Sequence, residues 1–253
     1  MDLSICIPSH RNKLWDKMYE TITRSVKKYE WELILVSPSL PLPSLYLKNN
    51  VKYLRDFGSP CRCAQIATTL AEGRLLMWGS DDAYFIEDAI DKCVEKFDKE
   101  LTHKDAICLR YYEGVGHQGK ENPDSYWNAW THADQQLKGV NKMYKLTPVG
   151  MYDTQYFREL GGWDCKFEIL NVCSHDLAYR LQKNGGKIVL SPTNVMDCDW
   201  NPNTVDHYPV HAAHHLNDIP YLNELYENET DRIKIDYFNW MKSPAKWVRR
   251  FGL

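Results

Sequence analysis

The sequence lacks several features that would assign it to a common protein class. No apolar run approaches the ~20 residues needed to cross a bilayer, so no membrane span is predicted. The 34 acidic and 31 basic residues nearly balance, and a formal charge of −3 gives no whole-protein electrostatic signature of nucleic-acid binding. No internal repeat is present, which excludes a solenoid or propeller. Cys61 and Cys63 are one residue apart and have no matching second pair, so no zinc or redox motif is indicated.

The composition nevertheless indicates a folded enzyme-sized domain. The chain has 253 residues, 43% of them hydrophobic, which is enough for one domain with a substantial core. Cys6, Cys93 and Cys108 lie in apolar runs and are predicted to be small buried hydrophobes. The first residues are typical of a strand that ends at Pro8 and not of a signal peptide, so a reducing cytoplasm is the expected location.

Strand-like and helix-like segments alternate in the first 110 residues. Strands are predicted at 3–7, 32–36, 51–54, 75–78 and 106–109, and helices at 15–29, 60–73 and 85–97. This alternation predicts an α/β fold, a single domain whose mixed, mostly parallel central sheet is flanked by helices. The chain is then polar and aromatic to about residue 147. A helix at 175–183 and a strand at 187–190 follow, and the chain is expected to be helical again from about residue 220.

Two adjacent carboxylates, Asp81 and Asp82, follow the apolar strand that ends at Trp78. Open α/β sheets bind ligands at the carboxyl ends of their strands. Neighbouring carboxylates repel each other unless a cation joins them. A divalent metal with oxygen ligands is the simplest such cation, and metals of this kind usually also hold substrate phosphates. The sequence therefore predicts a metal–diphosphate site here, and the alternative is that the aspartates cap the following helix.

Four motifs in one order resemble the family 2 glycosyltransferases of the GT-A fold. They are Ile5-Cys6-Ile7-Pro8-Ser9-His10-Arg11; Arg62 with Ala71-Glu72-Gly73-Arg74 and Gly79-Ser80-Asp81-Asp82; Leu160-Gly161-Gly162-Trp163-Asp164; and Asp176-Leu177-Ala178-Tyr179-Arg180-Leu181 with Gly186-Lys187-Ile188. The resemblance covers roughly residues 3–197. It implies a GT-A (Rossmann-like) fold and transfer of a sugar from a nucleoside diphosphate sugar to an acceptor hydroxyl, helped by Mn²⁺ or Mg²⁺. Residues 1–110 would bind the nucleotide sugar, 111–218 would form the acceptor-binding and catalytic half, and 219–253 would be a C-terminal helical tail.

The resemblance also implies roles for individual residues. Donor-binding contacts would come from Pro8, Ser9, Arg11, Arg62, Ser80 and Asp81. Asp82 would bind the metal, completed by His207 or His211 from the histidine-rich stretch 206–215, which could instead be a solvated surface loop. An inverting transfer needs a base to take the acceptor's proton, and Asp176 is the first candidate, followed by Asp164 and Glu168. A retaining reaction would need no such base.

The sequence departs from the family pattern in three places. Ser80 stands at the first aspartate of the D-x-D motif, and Val36-Ser37-Pro38 stands where the family has an acidic residue that contacts the nucleoside. Ser174 stands two residues before Asp176, where the family often has its catalytic carboxylate. These departures leave open the nucleotide, the base and whether the chain turns over substrate at all.

Three further possibilities concern the function and the partners. In the first interpretation the acceptor is a glycan, a lipid-linked molecule or a small molecule. It could instead be a modified base in DNA, which the aromatic segment 111–147 would stack once the base is flipped out of the helix. The chain could also be a non-catalytic nucleotide-sugar-binding module. The basic, aromatic residues 242–251 could contact an anionic membrane surface or a nucleic acid backbone, or form a frayed terminus.

Overall fold

The computed structural model describes residues 1–114, 132–199, 208–227 and 231–245. The strands are β1 (Leu3–Pro8), β2 (Trp31–Ser37), β3 (Val51–Arg55), β4 (Leu75–Trp78), β5 (Ala83–Phe85), β6 (Ala106–Gly114), β7 (Asp134–Gln135), β8 (Tyr144–Lys145), β9 (Gly150–Asp153) and β10 (Ile188–Asp199). The helices are α1 (Trp15–Ser25), α2 (Pro43–Tyr46), α3 (Pro60–Leu70), α4 (Ala89–Glu100), α5 (Thr154–Glu159), α6 (Leu170–Lys183), α7 (Tyr208–Ala213) and α8 (Ile219–Leu225). Shorter turns lie at Asn12–Leu14 and Asn239–Lys242, and His214–Asp218 forms a π-helical segment between α7 and α8.

One eight-stranded sheet carries the fold, in the order β3-β2-β1-β4-β9-β6-β10-β5. Strands β3, β2, β1 and β4 run parallel to one another, and β6 runs parallel to β10. Strand β9 is antiparallel to both of its neighbours, and β5 is antiparallel to β10. The predicted mixed, mostly parallel sheet is confirmed. Because β1 and β4 are parallel neighbours, their carboxyl ends meet at one edge, where Cys6 is paired with Trp78.

The central strands form where the sequence has short, uniformly apolar runs. All four residues of β4 are buried, and so are five of the six in β1, as expected for strands covered by helices on both faces. Helix α1 packs its apolar positions Trp15, Met18 and Ile22 inward at helical spacing. All eight cysteines are buried free thiols, so the predicted burial of Cys6, Cys93 and Cys108 is confirmed.

Element boundaries differ from the prediction where long-range pairing decides them. The helix predicted at 85–97 begins at Ala89, because the residues before it form β5 and pair with β10. Strand β9 was not predicted, and it joins the two halves of the sheet by pairing with β4 and β6. Helix α6 begins at Leu170, five residues before the predicted start at residue 175.

Residues 231–245, here called the C-terminal strap, lie against the body of the protein in an irregular conformation that ends in one short helical turn. The Gln65 side chain in α3 donates to the Tyr237 carbonyl at 2.8 Å. The Asn239 side chain donates to the Trp163 carbonyl at 2.9 Å and accepts from the Cys165 backbone at 2.7 Å. Gly161, with a φ of 91°, is the residue that lets the chain turn beneath the strap. The strap therefore fixes the loop that precedes α6.

None of the helices in the described ranges is long and apolar enough to cross a membrane.

Candidate active site

A cleft opens at the edge of the sheet where the carboxyl ends of β1 and β4 meet. It is lined by Pro8, His10, Arg11, Pro60, Trp78, Gly79, Ser80, Asp81, Asp82, Tyr111, Glu113, Val149, Ile169, Leu170, Asn171, Met196, Cys198 and Val210. The walls are mostly apolar, and the charged groups are Arg11 and three carboxylates. Few polar groups in an apolar concave site are typical of ligand-binding pockets. Of the predicted donor-binding residues, Pro8, Arg11, Ser80 and Asp81 line this cleft.

Asp81 fastens the loop after β1 to the loop after β4. One carboxylate oxygen accepts hydrogen bonds from the Ser9 hydroxyl at 2.5 Å and from the backbone of Arg11 at 3.1 Å. The other oxygen accepts from Arg11 Nε at 2.8 Å. Burial would raise the pKa of Asp81, but the charge and hydrogen bonds of Arg11 outweigh it and lower the pKa to about 2. Ser9 also accepts from the Trp15 indole, and it is absent from the cleft lining.

Arg11 is the cation that joins the two adjacent carboxylates. Its Nη1 lies 3.1 Å from Asp82 Oδ2, while Nε and Nη2 hydrogen-bond to Asp81. Burial alone would lower the pKa of Arg11, but the two carboxylates raise it above its ordinary value, so the guanidinium stays charged. The sequence predicted that a cation would join these aspartates, and the structure has a side chain of the chain itself in that place.

The charge of the cleft suits a divalent metal, although few side-chain ligands converge there among the described residues. Counting Arg11 as +1 and Asp81, Asp82 and Glu113 as −1 each, the charged lining residues sum to −2. Burial raises the pKa of the Cys198 thiol most. The negative charges of Asp82 and Glu113 raise this pKa further, so both carboxylates lie near the thiol. No three histidine, cysteine or acidic side chains converge as a metal site within the described part of the chain. Because such metals often use one or two carboxylates plus substrate phosphates, Asp82 is a suitable ligand once a diphosphate is present.

The described part of the structure places neither predicted histidine ligand beside Asp82. His207 lies outside the described residues. His211 is exposed on α7, and its ring centroid lies 4.6 Å from that of His215. Its neighbour Val210 lines the cleft, whereas His211 does not.

Arg62, predicted to bind the donor, lies outside the cleft and holds the C-terminal strap. Its guanidinium pairs with Asp56 at 2.9 Å and donates to the carbonyls of Trp240 and Ser243, the latter at 2.9 Å. It also lies 5.4 Å from the centre of the Trp240 ring. These contacts engage the guanidinium in packing between α3 and the strap, and a role of Arg62 in donor binding stays a prediction.

Asp176, the first candidate for the base, is fully buried in an ion-pair cluster. Arg180 Nε and Arg232 Nε lie 2.9 and 2.8 Å from its two carboxylate oxygens, and the Tyr226 hydroxyl donates at 2.6 Å. Burial would raise the pKa of Asp176, but the two arginines lower it. Since Asp176 is 0% exposed and both oxygens accept hydrogen bonds, the structure gives it a packing role and no access to an acceptor.

Asp164, the second candidate, belongs to the same cluster. It lies 2.5 Å from Arg232 Nη2 and accepts from the Tyr221 hydroxyl at 3.0 Å. Asp164 and Glu168 line a second pocket, between the loop before α6 and the C-terminal strap. A backbone hydrogen bond from Cys61 to the Glu168 carbonyl, 3.1 Å long, lies at the boundary between this pocket and the cleft.

The cleft contains functional candidates that the sequence reasoning missed. Tyr111 and Glu113 lie on β6, which was predicted to end at Leu109. Alternation continues past that point, since residues 107, 109, 111 and 113 share one face of a strand. Following this alternation of side chains past Arg110 would have identified Tyr111 and Glu113 from the sequence. Of the aromatic segment 111–147, residues 115–131 lie outside the described residues, as do residues 246–253 at the basic C-terminus.

Known proteins resemble this chain in structure and not in sequence. No protein-family model matches the sequence, and no curated protein is significantly similar to it. Solved structures do match. The chain has the GT-A fold. The structure of S. aureus TarS 1–349 in complex with UDP superposes with a TM-score of 0.60 and 15% identity, over 100% of this chain and 72% of that one.

Two further matches give the same result. S. aureus TarS matches with a TM-score of 0.57 and 17% identity over 86% of this chain, which spans only 40% of the TarS chain. GalNAc-T7, solved with UDP, GalNAc and Mn²⁺, matches with a TM-score of 0.55 and 15% identity, over 98% of this chain and 57% of that one. At these identities the likeness establishes the fold.

The position of Asp176 leads to a stability prediction. Asp176→Asn leaves the buried Arg180 without a carboxylate and leaves Arg232 with Asp164 alone, so we expect the free energy of unfolding at pH 7 to fall by ~3–5 kcal/mol. Because the pKa of Asp176 is lowered on folding, its contribution is complete above the ordinary value of 3.8 and is lost as the pH falls through the lower folded value. The difference between wild type and variant, measured by urea unfolding, should therefore shrink in acid.

The matched control is Asp231→Asn, which removes an exposed carboxylate 3.2 Å from Lys183 Nζ and should change stability little. A stable Asp176→Asn protein that has lost turnover would restore Asp176 as a catalytic base.

Proposed function

We propose that the protein transfers a sugar from a nucleoside diphosphate sugar to an acceptor hydroxyl, with the cleft beside Asp81 and Asp82 as its active site. The observation that carries the proposal is the guanidinium of Arg11, held by two buried carboxylates at the ligand-binding edge of a GT-A sheet. Because the charged residues of the cleft sum to −2, a diphosphate would enter it together with a divalent cation, with the Arg11 fork beside them as a donor.

A uridine diphosphate sugar is the donor that we propose. TarS 1–349 has been solved in complex with UDP and with UDP-GlcNAc, and GalNAc-T7 with UDP, GalNAc and Mn²⁺. These ligands support a UDP-hexose as the first donor to test. The residues at the end of β2, Val36-Ser37-Pro38, carry no carboxylate for a nucleoside, so recognition of the base would use backbone groups or other side chains.

The residues of the cleft would have separate roles in the reaction. Arg11 would share its positive charge with the diphosphate and orient it. Asp82 is the residue that would hold Mn²⁺ or Mg²⁺, whose chemistry as a Lewis acid is to stabilise negative charge on the leaving diphosphate. Glu113, the third carboxylate that lines the cleft, is our candidate for the base that takes the acceptor's proton. Trp78 and Tyr111 supply aromatic surface that suits a sugar or nucleoside ring.

A non-catalytic nucleotide-sugar-binding module is the second candidate. One observation favours it, since Asp176 and Asp164, the carboxylates expected to act as a base, are buried away from the cleft. Turnover decides between the two functions. A DNA acceptor remains a prediction from the sequence.

Ligand-induced stabilisation tests donor binding. With Mn²⁺ present, UDP at a hundred times its dissociation constant should stabilise the fold by ~2.7 kcal/mol and raise the melting temperature by roughly 5 °C or more. Asp82→Asn should lose most of this rise, because the cleft then lacks its proposed metal ligand. Glu168→Gln removes a carboxylate from the second pocket and should behave as wild type. An unaltered response of Asp82→Asn would contradict the assignment.

Release of UDP from a UDP-sugar tests the proposed base. Glu113→Gln should lower kcat by ~10²–10⁴-fold while the UDP-induced rise in melting temperature is retained, since a general base acts in the transition state and not in donor binding. Turnover of Glu113→Gln equal to that of wild type would remove Glu113 from the mechanism.

A further inference from the structure

Three histidines lie close together in sequence where α7 meets the π-helical segment His214–Asp218. The ring centroid of His215 lies 4.6 Å from that of His211 and 4.7 Å from that of His214. His211 and His215 are exposed, and the described residues offer neither of them a hydrogen-bond or ion-pair partner. Within the described chain, their ring nitrogens are therefore available to a ligand from solution.

The spacing of His211 and His215 places them on one face of the helical segment, one turn apart. This is the spacing at which two helical histidines bind zinc through one nitrogen each, at ~2.0–2.1 Å from the ion. Rings whose centres are 4.6 Å apart can reach one ion placed between them. Zn²⁺, Cu²⁺ and Ni²⁺ suit imidazole ligands, whereas Mg²⁺ prefers carboxylate and phosphate oxygens. Because both side chains are exposed, water can fill the remaining coordination positions.

The pair lies outside the cleft, although its helix contributes to the cleft wall. Val210 lines the cleft, and His211 and His215 do not. The far end of the segment is fixed, because the Asp218 carboxylate accepts two hydrogen bonds of 2.8 Å from the backbone just before α6. An ion held by the pair would therefore bind to an anchored helix and link α7 to the π-helical segment that follows it.

We propose that His211 and His215 form a binding site for a transition-metal ion such as Zn²⁺, separate from the cleft beside Asp82. The ion would bridge one helical turn and stabilise the helix that carries Val210. With two protein ligands, the site is weaker than a structural zinc centre with four. The inference goes beyond the proposed function and does not depend on it, because it requires neither nucleotide nor turnover.

Calorimetric titration of the full, untagged chain with Zn²⁺ and without nucleotide tests the site. Wild type should bind Zn²⁺, and His211→Ala and His215→Ala should each weaken that binding by ~10-fold or more, because each removes one of the two ligands. His214→Ala leaves the pair intact and should bind as wild type. His103→Ala is the matched control, since it removes an exposed histidine whose neighbouring ring is that of Tyr156 and not a second histidine.

One further variant separates this site from the cleft. Asp82→Asn should leave Zn²⁺ binding without nucleotide unchanged. The circular dichroism of His211→Ala and His215→Ala should match that of wild type, because both side chains are exposed. The inference is overturned if wild type binds no Zn²⁺, if neither His211→Ala nor His215→Ala weakens the binding, or if Asp82→Asn abolishes it.

Discussion

The carboxylate of Asp81 is the group on which the candidate site depends. It lies after β4 and accepts hydrogen bonds from the Ser9 hydroxyl, from the backbone of Arg11 and from the Arg11 side chain. These bonds bring the end of β1 against the end of β4 and fix the guanidinium beside Asp82. The cost of burying Asp81 is offset because it is paired and fully hydrogen-bonded, which is the condition for a buried charge to be tolerated. The floor of the cleft is thus a rigid arrangement of charge.

An arginine paired with two aspartates occurs at two places in the described structure. Near the cleft, Arg11 lies between Asp81 and Asp82 at an open edge of the sheet. Between α6 and the C-terminal strap, Arg232 lies between Asp164 and Asp176 at the wall of the second pocket. Both clusters pair arginine with two aspartates, but only the first lines the cleft. The first cluster lies at the carboxyl ends of β1 and β4, where open α/β sheets bind ligands, and the second ties the C-terminal strap to α6.

The sequence predicted the location of the site better than its contacts. The apolar run of β4 followed by Asp81 and Asp82 predicted the edge at which the cleft lies, because strand burial and the placement of loops are local properties. The partners of Arg11 and Arg62 depend on contacts between segments about 70 and 180 residues apart, which periodicity does not encode. Motif order likewise suggested Asp176 as a base, although the turn of α6 directs that carboxylate inward. Glu113 was missed because Arg110 interrupts the apolar run of β6.

Hydrogen exchange measured by mass spectrometry, with and without UDP and Mn²⁺, tests the central claim most directly. If the cleft binds a diphosphate through the Asp81-anchored loops, ligand should slow exchange in peptides covering residues 8–11 and 79–82, since opening of these loops would then compete with binding. Peptides from the second pocket, at 164–168 and 232–243, should change little. Protection confined to the second pocket, with the two loops unchanged, would contradict the account.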